Sequence, residues 1–576
     1  MSAPHHPTDI ESPKTAATFH DIETPRDDPT PKAKSNRFRL LGGLVALCGV
    51  ACVAIGAVVV AHHKDHTNAV AVASAFQDAS AVKLTLRFKR ASMFYNGQDS
   101  ANVYVFPRPS TDGSTIDFDG LVSLTHDNTT EKYVYANDRG YFVQSRHGNL
   151  VQASCLRASQ LPVFTTLQST LRGAAVVDIA QVGDVALSAD QDCPNGKLVS
   201  VKFGGDAFVA CLTENNQIAK VYGNDMDIDV TYLSALDDDI PSLEVPSTTA
   251  AGAPLNCPVH QPQDAPAPAS LSLTQKATSL KNTLMGTRSL NLFGPSCSCQ
   301  AEPKPCLMVH GVANPIAGPM TDTFPFYWGD VHNHLPCCSS VKFVHFDTIN
   351  TGWSDDSIQQ DFCNAALQVS RSSTKSIGKL TIISHSMGNM IAGAALATGK
   401  CTMSDDVTWI SSAGPMRGSK AANLLLKKCT DGGLNDIIKK PLEFINFCPP
   451  THAFASLYYQ TTMPKATQDL LVASAKMRNK HVTKSLCGTD GFGIQSIFSV
   501  ALQVVGVWAQ HGDVNDGVVA LESCTAGLEG DNAVFGGDLT STNYIGPLNH
   551  EDLAFRNGDG WLGDNRKPVK WLECAL

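Results

Sequence analysis

An uncharged run from Leu40 to Ala61 places the strongest constraint on how this chain can fold. The run is 22 residues long, and a helix needs about 20 apolar residues to cross the hydrocarbon core of a bilayer. Basic residues precede it, with no acidic residue after Asp28. The positive-inside rule therefore predicts a cytoplasmic N-terminus and a lumenal or extracellular C-terminal part, as in a single-pass type II membrane protein. A cleaved signal peptide fits less well, because its apolar core spans only about 7–15 residues.

The N-terminal segment divides into a tail and an anchor. Residues 1–39 are polar and rich in proline, which predicts a disordered cytoplasmic tail, and residues 40–61 are the predicted transmembrane signal-anchor helix. Gly42, Gly49 and Gly56 recur on one face of that helix. Small residues let two helices approach closely in lipid, so a homodimer through this face is one interpretation. The other is that glycine is simply frequent in membrane helices.

Charge and cysteine usage narrow the partners and the compartment. The formal net charge is −10, which argues against nucleic acid as a partner because phosphate binding needs a basic surface. Of the 18 cysteines, only Cys48 and Cys52 lie in the apolar run, and all the others follow it. This distribution predicts disulfides in an oxidising compartment, where sequence alone leaves the pairing open.

The region after the anchor has the pattern of an antiparallel β domain. From 70 to 245, short runs of β-branched and aromatic residues alternate with polar ones and are separated by turn residues. The residues Asn137-Asp138-Arg139-Gly140 predict a hairpin. Asn128 begins an Asn-Thr-Thr glycosylation sequon, which suits the lumenal side. Residues 246–272 are rich in proline and alanine and are predicted to be a linker.

The clearest chemical signal begins at Lys379. The sequence KLTIISHSMGNMIAGAALA predicts a short strand, a turn and a helix of small residues. At the turn, residues 384–388 match the nucleophile-elbow pattern G-x-S-x-G with Ser384 in place of the first glycine. Because the turn is tight, small residues are needed two positions before and after the nucleophile. The pattern predicts Ser386 as that nucleophile, at the N-terminus of a helix.

A serine nucleophile needs a base, and the base needs an acid that orients it. In chains with this elbow the order is serine, acid, histidine. Asp516 lies in an Asn-Asp-Gly loop after an apolar run, and His550 follows it. We therefore predict a triad of Ser386, Asp516 and His550. The alternative acids are Asp513, Asp531 and Asp538, and the alternative base, His511, precedes the acid.

An oxyanion formed at this serine needs two N–H donors. One is expected from Met387, the residue after the nucleophile. The other is expected from a loop after an early strand, and the sequence PCLMVHGVANP provides such a strand followed by His310-Gly311. The N–H of Val312 is the predicted second donor.

Residues 304–555 resemble triacylglycerol lipases of the bacterial type within the α/β-hydrolases. The resemblance is carried by the stretches MVHGVAN, ISHSMGN, ISSAGPMRGSKAAN, VNDGVVALESC and LNHED. It implies an α/β-hydrolase fold for residues 285–576, with a mostly parallel sheet flanked by helices. Two positions depart from the family pattern, since Ser384 replaces the usual glycine and Met416 stands where the family often has histidine.

The resemblance implies an ester hydrolase acting on a lipid or another acyl ester, with no cofactor required, and the predicted anchor at 40–61, outside the resemblance, would hold it at a membrane. Some of these lipases bind a structural calcium ion through an acid two residues after the catalytic histidine, the position that Asp552 occupies here. Residues 420–510 form either a lid over an acyl pocket or ordinary helices on the core. Two other functions stay open: a non-catalytic ectodomain for binding or structure, and a serine hydrolase acting on an amide or thioester.

Overall fold

The computed structural model describes most of the chain after residue 75. The described residues are 76, 78–109, 116–161, 164, 175–237, 239–261, 289–292, 297, 299, 302–315, 317–431, 450–496, 498–512 and 514–576. The predicted cytoplasmic tail and anchor helix, with the glycines proposed for dimerisation, lie outside these ranges. Within the described ranges, no helix is both long enough and apolar enough to span a bilayer.

The first half of the described chain is mostly β-strand, as predicted. In chain order it contains β1 (Ala81–Phe88), β2 (Ser100–Pro109), β3 (Ile116–His126), β4 (Thr129–Ala136), β5 (Arg139–Arg146), β6 (Asn149–Leu156), β7 (Ala175–Val177), β8 (Ile179–Val182), β9 (Val185–Ser188), the short helix α1 (Ala189–Asp192), β10 (Lys197–Phe203), β11 (Asp206–Leu212), β12 (Ile218–Tyr222) and β13 (Met226–Leu233). Eleven of these strands form one antiparallel sheet in the order β6-β5-β4-β3-β2-β1-β13-β12-β11-β10-β7.

Turn chemistry sets the register of this sheet. Strands β4 and β5 pair across Asn137 and Asp138, whose φ angles of 49° and 59° are those of the turns that best match strand twist. The predicted hairpin is therefore confirmed. Asn128 lies exposed in the preceding turn, between β3 and β4, and its glycosylation stays a prediction.

The second half of the described chain contains a mixed sheet with helices. Its strands are β14 (Ser289–Leu292), β15 (Lys304–Val309), β16 (Gly318–Thr321), β17 (Cys338–His345), β18 (Ser376–Ile377), β19 (Leu380–His385), β20 (Thr402–Met403), β21 (Val407–Ser412), β22 (Lys484–Gly488), β23 (Phe535–Gly536) and β24 (Asn543–Gly546). Its α-helices are α2 (Pro325–Trp328), α3 (Asp356–Val369), α4 (Met387–Ala397), α5 (Lys420–Asp431), α6 (His452–Ser456), α7 (Lys465–His481), α8 (Ser499–Trp508), α9 (Leu521–Cys524) and α10 (Pro568–Ala575). Single turns of 3₁₀ helix occur at Ala91–Met93, Ala158–Gln160, Val331–His334, Gln460–Thr462, Gly530–Ala533, Asp552–Ala554 and Asp564–Arg566.

The large sheet of this half has eight strands in the order β16-β17-β15-β19-β21-β22-β24-β23. All neighbours are parallel except β16 and β17, so the predicted mostly parallel sheet is confirmed. Helix α7 packs on α4 through the hydroxyl of Ser474, which donates to the carbonyl of Met390 at 3.2 Å. That part of the stretch 420–510 is therefore core helix, while residues 432–449 lie outside the described ranges.

The strand that follows the predicted linker pairs with the first half, and the first part of the predicted linker packs on the antiparallel sheet. Strand β14 pairs with β8 of the first half. Residues 246–261 lie against the antiparallel sheet, since Cys257 is bonded to Cys155 and the ring of His260 hydrogen-bonds the carbonyl of Leu156 at 2.8 Å. The remainder of the predicted linker is outside the described residues.

The predicted use of cysteine in disulfides is confirmed. Besides Cys155–Cys257, the bonded pairs are Cys193–Cys211, Cys297–Cys574, Cys299–Cys337, Cys306–Cys338, Cys363–Cys401 and Cys487–Cys524. Four of these, at Cys299, Cys306, Cys363 and Cys487, join residues 32 to 38 positions apart near the mixed sheet. Such cross-links stabilise a fold mainly by restricting the unfolded chain.

A buried charge cluster ties the antiparallel sheet to the C-terminal helix. The carboxylate of Asp225 accepts hydrogen bonds from the ammonium groups of Lys567 and Lys570, each at 2.8 Å. Both lysine side chains are almost fully buried. Burial acts to raise the pKa of Asp225, but the two lysines outweigh it and lower the pKa to about 2. The cluster is thus charged, and Asp225 is the carboxylate that both lysines share, while Lys567 also bonds Asp206 at 3.0 Å.

Replacing Asp225 with asparagine should destabilise the protein strongly. The substitution takes the carboxylate from Lys570 and leaves Lys567 with Asp206. Breaking a buried ion pair in this way typically costs about 3–5 kcal/mol. We expect the free energy of unfolding, measured by urea titration at pH 7, to fall by about that amount. Because the folded pKa is lowered, the wild-type advantage should be present above pH 4 and be lost as pH falls toward 2.

Asp229→Asn is the matched control, because Asp229 pairs with Arg87 on the exposed side of the same sheet. Exposed pairs contribute roughly 0–1 kcal/mol. Equal effects of the two substitutions would show that the buried cluster is not what joins the two halves.

Candidate active site

The chain turns sharply at Ser386, between β19 and α4. Every residue of β19 is buried, and the strand lies at the centre of the mixed sheet, between β15 and β21. Ser386 has φ 55° and ψ −127°, a backbone conformation that residues other than glycine rarely adopt. The predicted strand, turn and helix are therefore observed, with the serine at the helix N-terminus.

Close packing explains the small residues around this turn. A Cβ atom at Gly388 would lie 2.6 Å from the carbonyl oxygen of Val309 and 2.8 Å from that of His310, so only glycine fits there. The other small position is Ser384. Its hydroxyl accepts a hydrogen bond from the indole N–H of Trp409 at 2.7 Å and donates to the amide oxygen of Asn389 at 2.6 Å. The departure from glycine thus gives two buried hydrogen bonds.

Asn389 is a residue that sequence reasoning missed. Its amide N–H₂ donates to the carbonyl oxygens of Ser412 at 2.8 Å and Ser386 at 3.1 Å. These bonds tie the first turn of α4 to the strand end and to the nucleophile itself. The available sequence signal was a single amide in a helix of small and apolar residues, because an amide buried in such a helix must find hydrogen-bond partners.

The structure brings the three predicted triad residues together. The hydroxyl of Ser386 lies 2.9 Å from Nε2 of His550, and Nδ1 of His550 lies 2.8 Å from a carboxylate oxygen of Asp516. The other carboxylate oxygen accepts the backbone N–H groups of Val518 at 2.9 Å and Val519 at 2.6 Å. All three side chains are buried, so the hydrogen bonds form a continuous line away from bulk water.

This environment favours the charged form of His550. Burial acts to lower its pKa, but the charge and hydrogen bond of Asp516 outweigh burial and raise the pKa above 6.5. A histidine with such a partner is a stronger base toward the serine hydroxyl. The bonding also fixes the tautomer, with the hydrogen on Nδ1 facing Asp516 and Nε2 free to accept the serine proton.

The alternative residues occupy other environments. Asp538 caps its own turn by accepting the N–H and hydroxyl of Thr540, and Asp531 lies in a 3₁₀ turn. Asp513 is outside the described ranges. His511 is buried near Asp516, and burial outweighs that charge and lowers the pKa of His511 to about 4; the hydrogen bond of Asp516 goes to His550 instead.

The predicted oxyanion loop lies directly against the nucleophile. A Cβ atom added to Gly311 would be 2.6 Å from Cβ and 3.1 Å from Oγ of Ser386. The ring of His310 accepts the N–H of Phe346 at Nε2, at 3.0 Å. Its Nδ1 therefore carries the hydrogen and donates to the carbonyl of Gly311 at 2.7 Å. Because a trans peptide points its C=O and N–H in opposite directions, this bond also orients the N–H of Val312.

The surroundings of Asp552 do not fit a calcium site. Its two carboxylate oxygens accept hydrogen bonds from the backbone N–H groups of Ile494 and Asn549 and from the amide of Asn557. Calcium binds six to eight oxygen ligands, whereas both carboxylate oxygens of Asp552 are already held by protein N–H donors. Within the described part of the chain, no three acidic, histidine or cysteine side chains gather as metal ligands do. We assign no role to calcium.

Comparison with known proteins gives only distant matches. No family model and no curated protein matches the chain. Among solved structures, phospholipase PlaB from Legionella pneumophila is 16% identical with a TM-score of 0.25, and the match covers 38% of this chain and 44% of PlaB. A carboxylesterase structure from Nitrososphaera gargenis is 16% identical with a TM-score of 0.20, covering 38% and 85%. The deformylase Nfo from Pseudomonas putida S16 is 14% identical with a TM-score of 0.18, covering 36% and 81%. The chain spans less than half the length of PlaB, and these TM-scores do not establish a shared fold.

Any reaction in which Ser386 acts as the nucleophile should require neutral His550. Asp516 raises the pKa of His550, so the acid limb of the rate profile should lie at higher pH than for a free imidazole, since the protonated ring cannot accept the serine proton. Asp516→Asn removes the charge that raises this pKa, so the limb should move to lower pH while kcat falls by about 10⁴-fold. The measurement is kcat/KM for an activated ester from pH 4 to 9.

Asp538→Asn serves as the control, because Asp538 is the described alternative acid that caps a turn away from the histidine. Its profile should match that of the wild type. A limb that moves in Asp538→Asn and stays in place in Asp516→Asn would contradict the assignment of the acid.

Proposed function

We propose that this chain is a membrane-anchored serine hydrolase of the α/β-hydrolase fold that cleaves carboxylic esters of lipids or other acyl compounds. The observation that carries the proposal is the unbroken line of hydrogen bonds from Ser386 through His550 to Asp516. It begins at a strained serine between a central parallel strand and a helix. The order of the three residues in the chain is that of the α/β-hydrolases.

The geometry suits a two-step acyl transfer. The Ser386 oxygen attacks the ester carbonyl carbon while its proton moves to Nε2 of His550. The carbonyl oxygen becomes an oxyanion, which the N–H groups of Val312 and Met387 would hold. His550 then gives the proton to the leaving alcohol oxygen as the C–O bond breaks, and water repeats the sequence to release the acid.

Two features favour a lipid or long-chain acyl substrate. The uncharged segment 40–61 would hold the chain at a bilayer, where such esters are concentrated. The site itself is buried, with only 3% of Ser386 exposed, which suits an apolar acyl group entering a water-poor space. An amide or thioester would meet the same nucleophile, so substrate comparison is part of the test.

Reaction with a fluorophosphonate probe tests the activated serine directly. Membranes from cells that express the full chain should give one labelled band that remains after alkaline carbonate extraction. Ser386→Ala should abolish labelling, and it should lower the hydrolysis rate of short-chain and long-chain esters by about 10⁶-fold. A panel of matched esters, amides and thioesters then identifies the bond that the wild type cleaves fastest.

Ser200→Ala is the matched control, because Ser200 lies in β10 of the antiparallel sheet. It should label and hydrolyse as the wild type does. A folded wild type that neither reacts with the probe nor cleaves any substrate in the panel would favour the non-catalytic ectodomain. A labelled protein that alkaline carbonate extracts from the membrane would contradict the predicted anchor and leave the hydrolase function in place.

A further inference from the structure

The hydroxyl of Tyr327 lies between two groups of the active site that are far apart in sequence. It is 2.7 Å from the backbone nitrogen of Gly311 and 2.7 Å from Nδ1 of His385. The other ring nitrogen of His385 is 3.0 Å from the carbonyl oxygen of His550. A line of hydrogen bonds therefore runs from the oxyanion loop, past the residue before the nucleophile, to the backbone of the base.

The direction of each hydrogen bond in this line is set by its two end groups, the N–H of Gly311 and the carbonyl of His550. The N–H of Gly311 can only donate, so the oxygen of Tyr327 accepts it. The tyrosine O–H is then free to donate to Nδ1 of His385. With Nδ1 accepting, the histidine carries its hydrogen on Nε2 and donates to the carbonyl of His550. Every polar atom of the line has a partner, which is the condition for a stable buried network.

We propose that Tyr327 is a positioning residue that fixes the oxyanion loop beside Ser386 and links it to the segment carrying His550. The proposal rests on the hydrolase function proposed above. Gly311 has no Cβ atom and its backbone would otherwise be free to rotate. Tyr327 holds its N–H and His310 holds its C=O, so the two peptide planes that orient the N–H of Val312 are both fixed.

The network stays neutral over the pH range in which His550 titrates. Burial lowers the pKa of His310 to about 4 and lowers that of His385 as well, and burial raises the pKa of Tyr327. The charged groups that act on Tyr327 are Glu551 and Arg556, which have opposite signs. Loss of the hydroxyl should therefore change the height of the pH–rate profile and leave the position of its acid limb unchanged.

Tyr327→Phe removes one oxygen and leaves the N–H of Gly311 without an acceptor. We expect kcat for ester hydrolysis to fall about 10- to 100-fold, less than the 10²–10³-fold loss of a whole oxyanion donor. KM should stay within about twofold, because these hydrogen bonds position the N–H groups that bind the oxyanion and do not contact the acyl group of the substrate. The rate of fluorophosphonate labelling should fall in parallel with kcat.

Tyr544→Phe is the matched control. The hydroxyl of Tyr544 also accepts a backbone N–H, from Lys567 at 3.0 Å, and donates to a carbonyl, that of Asp564. This tyrosine is buried in the core beside the C-terminal helix, so its loss should lower the thermal midpoint as Tyr327→Phe does and leave kcat unchanged. The proposal would be overturned if Tyr327→Phe kept the wild-type kcat. It would also be overturned if Tyr544→Phe lost as much kcat as Tyr327→Phe.

His385→Phe, whose ring has no hydrogen-bond acceptor, tests the same line from its other end if Tyr327→Phe does not fold. It should lower kcat at unchanged KM, because Tyr327 loses the acceptor that orients its hydroxyl; an unchanged kcat would overturn the proposal. A wild type without esterase activity or probe labelling would overturn the hydrolase function and this inference together. An active wild type with an unchanged Tyr327→Phe overturns the inference alone.

Discussion

The strained backbone at Ser386 is the constraint on which the rest of the site depends. A non-glycine residue at φ 55° and ψ −127° typically costs about 1–3 kcal/mol and persists only where neighbours hold it. Here Asn389 bonds the carbonyl of the serine itself, and the close approach of Gly388 to β15 leaves no room for the turn to relax. The strain directs the hydroxyl away from the strand and toward His550.

The antiparallel sheet is part of the same folded body as the mixed sheet. Phe492 and Leu562, from the second half, belong to the hydrophobic core of the first, and Phe142 meets Phe492 edge to face at 6.1 Å. Phe492 also holds the loop that carries the base, since its carbonyl accepts a hydrogen bond from the amide of Asn549, the residue before His550. The position of His550 thus depends in part on packing between the two halves.

The sequence predicted those features of the fold that depend on residues close together in the chain. The elbow could be recognised because strand, turn and small-residue helix are contiguous, and the hairpin at Asn137 because its turn residues tolerate positive φ. Asp516 and His550 could be chosen from their order in the chain. The distances that join them to Ser386 depend on the tertiary fold, so the sequence could name the residues but not their arrangement.

Residues that act through distant partners were not predicted. Ser384 was accepted as a small residue, whereas its hydroxyl bonds Trp409, 25 positions away. Tyr327 is 58 positions from His385, and no periodicity connects them. Part of the predicted linker packs on the sheet because Cys257 pairs with Cys155 across 102 residues, which composition does not reveal. In each case the determining contact is a specific pair of side chains brought together by the fold.

The most direct test of this account is a crystal structure of the protein modified by an alkylphosphonate that mimics the tetrahedral intermediate. We expect phosphorus bonded to Oγ of Ser386 and the phosphoryl oxygen about 2.7–3.1 Å from the backbone nitrogens of Val312 and Met387. Nε2 of His550 should lie within hydrogen-bond distance of the Ser386 oxygen or the leaving-group oxygen. Phosphorus on another residue, or a phosphoryl oxygen turned away from both nitrogens, would contradict the account.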